Sequence, residues 1–148
     1  MSRLVALCCA GLIVGCAPSE EEPAMEEAAE PTIALADVAG TWSMEALTEA
    51  GDSVLVTYEM VATDNTEGWT ITFPGRDPIP GRVISVEGDS IVVEAGPYES
   101  ALRDGIMVTT RSVVRLQEGS VVGMFVAHYE TTEPDSVLRG QQRGTRQQ

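Results

Sequence analysis

The chain has 148 residues, 43% of them hydrophobic and 5% aromatic, and its acids outnumber its bases 23 to 9 for a formal net charge of −14. That length holds one average domain and does not comfortably hold two. All the bases are Arg, with no Lys, and the balance excludes nucleic acid as a partner because phosphate binding needs clustered basic residues.

Residues 1–16 read MSRLVALCCAGLIVGC. Arg3 is their one charge, and an apolar run from Leu4 to Val14 follows it. The run is too short to cross a bilayer, so residues 1–15 are predicted to be a cleaved signal peptide. The segment Leu12-Ile13-Val14-Gly15-Cys16 resembles a bacterial lipobox. The resemblance implies that the Cys16 thiol receives a diacylglycerol, that the chain is cut before it, and that the new amine is acylated. A small residue at Gly15 lets the peptidase approach the backbone, and a thiolate is the nucleophile that takes the lipid. Cys8 and Cys9 leave with the signal, so the mature chain keeps only Cys16 and forms no intramolecular disulfide. More than one acyl chain gives stable membrane attachment. Ala17 follows the Cys where Asp does not, and the resemblance to Gram-negative lipoproteins then implies the outer membrane, facing the periplasm.

Residues 16–36 are predicted to be the lipidated Cys and a disordered acidic linker. Positions 17–36 hold six Glu, three Pro and six Ala with no aromatic, too little apolar surface to offset chain entropy. The domain is expected over 37–148, where Val, Ile, Thr and aromatics come in short runs punctuated by Gly, Asp, Asn and Pro. This is an all-β pattern. Strands are expected near 41–48, 53–63, 69–73, 79–86, 90–95, 107–117, 120–130 and 136–146. Most connections have hairpin length, which favours an antiparallel meander. The longest, Gly96–Ile106, has room for one helical turn.

Turn length fixes which side chains share a face. A two-residue turn at Glu118-Gly119 sets Leu116 opposite Val121, Val114 opposite Gly123, Ser112 opposite Phe125 and Val108 opposite Tyr129. His128 then faces outward beside Thr109. A three-residue turn at Ala50-Gly51-Asp52 sets Trp42 opposite Met60, Met44 opposite Tyr58 and Ala46 opposite Val56. A two-residue turn at Gly88-Asp89 puts Ile84, Val86, Ile91 and Val93 on one face. Each hairpin so read has one apolar face, as a barrel or sandwich requires. Eight up-and-down strands most naturally close into a barrel, which removes both sheet edges.

The first strand opens Gly40-Thr41-Trp42, which resembles the Gly-x-Trp signature of lipocalins and the wider calycin group. The resemblance implies that Trp42 plugs the closed end and that a basic residue of the last strand, Arg143 or Arg146, packs across it as a cation–π partner. A ligand would lie inside the barrel and at its open mouth. Inward candidates are Tyr58, Met60, Trp69, Phe73, Phe125 and Tyr129, a lining of aromatics and Met that suits a small hydrophobic ligand. Tyr98 and Arg103 on the long loop form a candidate lid. Arg76 and Arg82 belong to a Pro-rich stretch, Phe73–Arg82, read either as a rigid rim that contacts a partner or an anionic ligand head group, or as a stiff interstrand turn.

His128 is the one His, so no transition-metal set converges on it. No EF-hand spacing, phosphate loop or nucleophile elbow occurs, and Asp64, Asp89 and Asp135 stand in turns, where Asp is expected. No cofactor and no enzymatic activity are expected. Two functions remain open: an envelope lipoprotein whose barrel binds a small hydrophobic ligand, or one with a packed barrel that binds an envelope protein through its surface. Fold alone does not decide between them.

Overall fold

The computed structural model describes residues 32–148; the expected signal peptide, Cys16 and the linker as far as Pro31 lie outside the described residues. A four-residue helix, α1 (Leu35–Val38), precedes strands β1 (Gly40–Leu47), β2 (Val54–Ala62), β3 (Trp69–Thr72) and β4 (Ile79–Glu87). These are followed by β5 (Ser90–Glu99), β6 (Met107–Gln117), β7 (Ser120–Tyr129) and β8 (Val137–Arg146). The eight strands form a closed barrel in which each pairs with its sequence neighbour and β8 returns antiparallel to β1. Every strand therefore finds both hydrogen-bonding partners within residues 40–146, and the unit folds on its own contacts.

The turns set the register. Glu118 and Gly119 both take positive φ, 51° and 79°, as the two central residues of a type I′ turn must. The β6–β7 ladder then runs from Leu116 opposite Val121 to Val108 opposite Tyr129, with Ser112 opposite Phe125, as the turn predicts. Across β1 and β2, Trp42 meets Met60, Met44 meets Tyr58 and Ala46 meets Val56, and a shift beyond Ala46 brings Leu47 against Val54.

Two expectations about strands are corrected. The β4–β5 ladder shifts between Val83 and Ser85, so Val83 rather than Ile84 stands opposite Val93. Such an irregularity puts an extra residue on one strand and changes which side chains face in. Val83 packs against the core and Ile84 is left 41% exposed. The second correction is in the expected long loop. Strand β5 continues through Gly96 and Pro97 to Glu99, with the ladder to β6 resuming at Tyr98 opposite Val108. Tyr98 is thus a strand residue.

The core divides by height. At the closed end Trp42, Met44, Met60, Trp69, Ile91 and Val114 pack together, joined from outside the barrel by Ile33 and Val38. At the other end Ala46, Val108, Phe125, Ala127 and Tyr129 form a second cluster. Strand β8 supplies little bulk to either. Its inward positions include Gly140 and Gly144, and a methyl at Gly140 would strike the Phe125 ring and the Leu47 carbonyl, while one at Gly144 would strike the Met44 sulfur. Small residues on β8 thus make room for large ones from β1 and β7, which keeps the interior close-packed.

Candidate functional site

Trp42 is fully buried at the closed end, and its indole N–H donates to the Val38 carbonyl at 2.8 Å. The Arg146 guanidinium lies 4.4 Å above its ring and donates to the carbonyls of Ala39 and, at 2.9 Å, Asp37. Gly40 has φ +139°, and any Cβ there would collide with that guanidinium. The spacing Gly-x-Trp therefore lets one cation cover the plug. Of the two Arg candidates it is Arg146 that does so; Arg143 lies on the outer face, paired with Glu45 at 2.6 Å.

Between the two core clusters the barrel holds a cavity of about 80 Å³, partly open toward the mouth. Of the expected lining residues, Tyr58, Met60, Phe73, Phe125 and Tyr129 reach it. Trp69 does not: it is 2% exposed within the closed-end cluster, and its indole N–H donates to the Asn65 carbonyl at 2.9 Å. Phe73 stands between two tyrosine rings, with centroids 5.6 Å from Tyr58 and 5.8 Å from Tyr98, both tilted contacts. No charged side chain lines the cavity.

A belt of paired polar groups crosses this apolar wall. The Tyr58 hydroxyl donates to Gln142 Oε1 at 2.9 Å, Ser112 Oγ lies 3.5 Å from the same oxygen, and the Tyr98 hydroxyl pairs with Thr110 Oγ1 at 2.9 Å. Burial pushes the Tyr58 hydroxyl well above the ordinary range, and the nearby Tyr98 adds to the shift. Burial likewise raises Tyr98, against the opposing hydrogen bond to Thr110. Both rings stay neutral at any physiological pH. Gln142, Ser112 and Thr110 are absent from the sequence-derived candidates. The one sequence signal for Gln142 is its place in the period-two series Leu138, Gly140, Gln142, Gly144, which faces inward.

A short segment roofs the mouth. Ser100 is 2% exposed, and its hydroxyl accepts the backbone N–H groups of Leu102 and Arg103 at 3.0 and 3.1 Å. Ala101 and Leu102 face the cavity from above. Arg103 fastens the roof, its guanidinium 4.1 Å from the Tyr129 ring centroid and 2.9 Å from Asp135. Arg76, from the turn after Phe73, donates to the carbonyls of Glu99 and Ser100 at 2.7 and 3.1 Å and holds the base of the segment. The expected rim role of Arg82 is corrected: it points outward from β4 and pairs with Glu94 across the ladder.

His128 is exposed opposite Thr109, and no three His, Cys, Asp or Glu side chains converge among the described residues. The arrangement provides a neutral, roofed, mostly apolar chamber with hydrogen-bonding groups at mid-height. Comparison of the chain with protein-family models, with curated proteins and with solved structures finds no match.

Proposed function

We propose that this protein is a lipid-anchored lipoprotein of the bacterial cell envelope whose barrel holds a small hydrophobic ligand. The observation that carries the reading is the cavity of about 80 Å³ inside the barrel, walled mostly by aromatic and aliphatic side chains and covered in part by Ser100, Ala101 and Leu102. An eight-stranded barrel has an interior just wide enough to be filled by side chains or to hold one small ligand. An engineered 150 Å³ apolar cavity accepts benzene, so a guest of about three to four heavy atoms suits this one. The cation over Trp42 supports the likeness to the calycin group, which rests on Gly40 and Trp42. Cys16, after Gly15 and before Ala17, supplies the anchor, and the acidic stretch that follows spaces the barrel from an outer membrane on its periplasmic side. On this reading the barrel is a binding module and not an enzyme, and it needs no cofactor.

The small cavity also favours a second reading, a packed barrel that binds an envelope protein through its surface. Native and denaturing mass spectra of residues 32–148, purified without detergent, separate the two. A discrete adduct lost on denaturation supports the ligand; a clean apo mass, together with recovery of one specific envelope protein by the anchored chain, supports the surface. For the anchor, the full chain recovered from bacterial membranes carries the mass of its acyl chains, and Cys16→Ala releases it from the membrane fraction.

A further inference from the structure

The Gln142 side chain is the most deeply buried polar group on the cavity wall apart from the roof serine, at 4% exposure. Its Oε1 accepts from Tyr58 at 2.9 Å and from Ser112 at 3.5 Å, yet its Nε2, with almost no accessible surface, has no hydrogen-bond partner. A buried donor without an acceptor costs more than a made hydrogen bond gains, so such groups are rare unless something comes to meet them. By register Gln142 stands opposite Ala46 and Gly123, between the closed-end cluster and the mouth cluster, at the height of the chamber. The other polar groups of the belt already have partners in Tyr98–Thr110 and Tyr58–Gln142.

We propose that the guest of this cavity is a small neutral molecule with an apolar body and one carbonyl oxygen, which accepts the free N–H of Gln142. The inference rests on the ligand-binding reading and names the chemistry of its ligand. Three features of the wall select that class. The unused group is a donor, so the guest brings an acceptor. No charged side chain faces the chamber, so a carboxylate or an amine would be buried without a counter-ion. The remaining wall is aromatic and aliphatic apart from hydroxyls that already have partners within the protein, so the rest of the guest is hydrocarbon. Its apolar end lies toward Leu102 under the roof, and a longer guest displaces that segment.

Three probes of nearly equal shape test it: acetone, isobutene, in which CH2 replaces the oxygen, and acetate, which carries a charge. Each is titrated into residues 32–148 while the backbone and Gln side-chain amide resonances are followed by NMR. The expected result is saturable binding of acetone with a shift of the Gln142 amide protons, binding of isobutene about tenfold weaker, and no saturable binding of acetate. Gln142→Met is expected to bring acetone and isobutene within about threefold of each other, and the shift in the unaltered protein stands even if that variant folds poorly. Equal binding of acetone and isobutene to the unaltered protein overturns the inference and leaves an apolar ligand site standing. If none of the three binds and the Gln142 amide protons show contacts only to bound water, the inference fails and the ligand-binding reading fails with it.

Discussion

Arg146 joins three parts of the closed end: the last strand, the plug Trp42 and the backbone of the helix that precedes β1. Its charge stays near water while its planar donors reach two carbonyls, a geometry that Lys does not reproduce. Arg146→Ala is expected to cost about 1–2 kcal/mol in urea unfolding and Arg146→Lys to recover less than half, with the loss read from the midpoint at constant m. Tyr58 gives a pH test. Its hydroxyl titrates at 10.0 when unperturbed and higher in the fold, because burial penalises the phenolate. Above pH 10 the unfolded chain gives up this proton and the folded one keeps it, so stability falls as pH rises. The contribution is whole below pH 10 and is lost as pH climbs toward the raised folded value. Urea midpoints measured from pH 9 upward are expected to fall more steeply in the unaltered protein than in Tyr58→Phe. At this scale the large rings of the site were legible in the sequence, because alternation put Tyr58, Phe73, Phe125 and Tyr129 on inward positions. Gln142 was not, because a Gln beside a second Gln in a strand with four other polar side chains reads as solvated surface.

The hairpins show why pairing was legible where it was. The ladder across Glu118-Gly119 follows from the two-residue turn length, and the alternation of β6 and β7 agrees with it. The β4–β5 ladder was misplaced because its shift near Ile84 has no signature in the residues: Val83 and Ile84 are equally apolar, and only packing selects the one that turns in. The segment after β5 was read as loop because Gly-Pro commonly breaks a strand, yet the ladder resumes beyond it. That extension brings Tyr98 onto the wall and leaves only residues 100–106 as roof. The roof's fastenings are unequal. The Asp135 carboxylate is 69% exposed, so its ion pair with Arg103 contributes little, whereas the stacking of Arg103 on buried Tyr129 persists in salt. Hydrogen exchange is therefore expected to accelerate several-fold at the Ser100 and Ile106 amides in Arg103→Ala, with global stability changed by less than about 1 kcal/mol. Asp135→Ala is expected to leave the same amides within about twofold of their original rates, and a larger effect from Asp135 than from Arg103 would reverse the ranking.

At the scale of the molecule the barrel closes from both ends, and the lower closure begins earlier than composition suggests. The stretch from Thr32 to Ala36 shares the small residues of the acidic leader, and an average over twenty positions hides its two large apolar side chains. Ile33 is nonetheless only 8% exposed, its N–H donates to the Gly88 carbonyl at 2.8 Å, and Leu35 packs against the same cluster as Trp42. The Ala34 N–H is held by Asp37 at 2.8 Å, which starts the short helix and aims Val38 at the plug. Removing residues 32–36 strips one buried Ile, part of a Leu and three backbone hydrogen bonds, those of Ile33 to Gly88, Asp37 to Ala34 and Ala39 to Leu35, from the closed end. Full burial of an Ile is worth about 1.5–3 kcal/mol. A chain starting at Asp37 is thus expected to be about 3 kcal/mol less stable than one starting at Thr32, with the same strand content by circular dichroism. Ile33→Asp in the longer chain is expected to reproduce most of that loss, because a carboxylate at this place has no partner and a cavity replaces the side chain. Equal urea midpoints for the two lengths would instead mean that the segment rests on a barrel already sealed by Trp42 and Arg146.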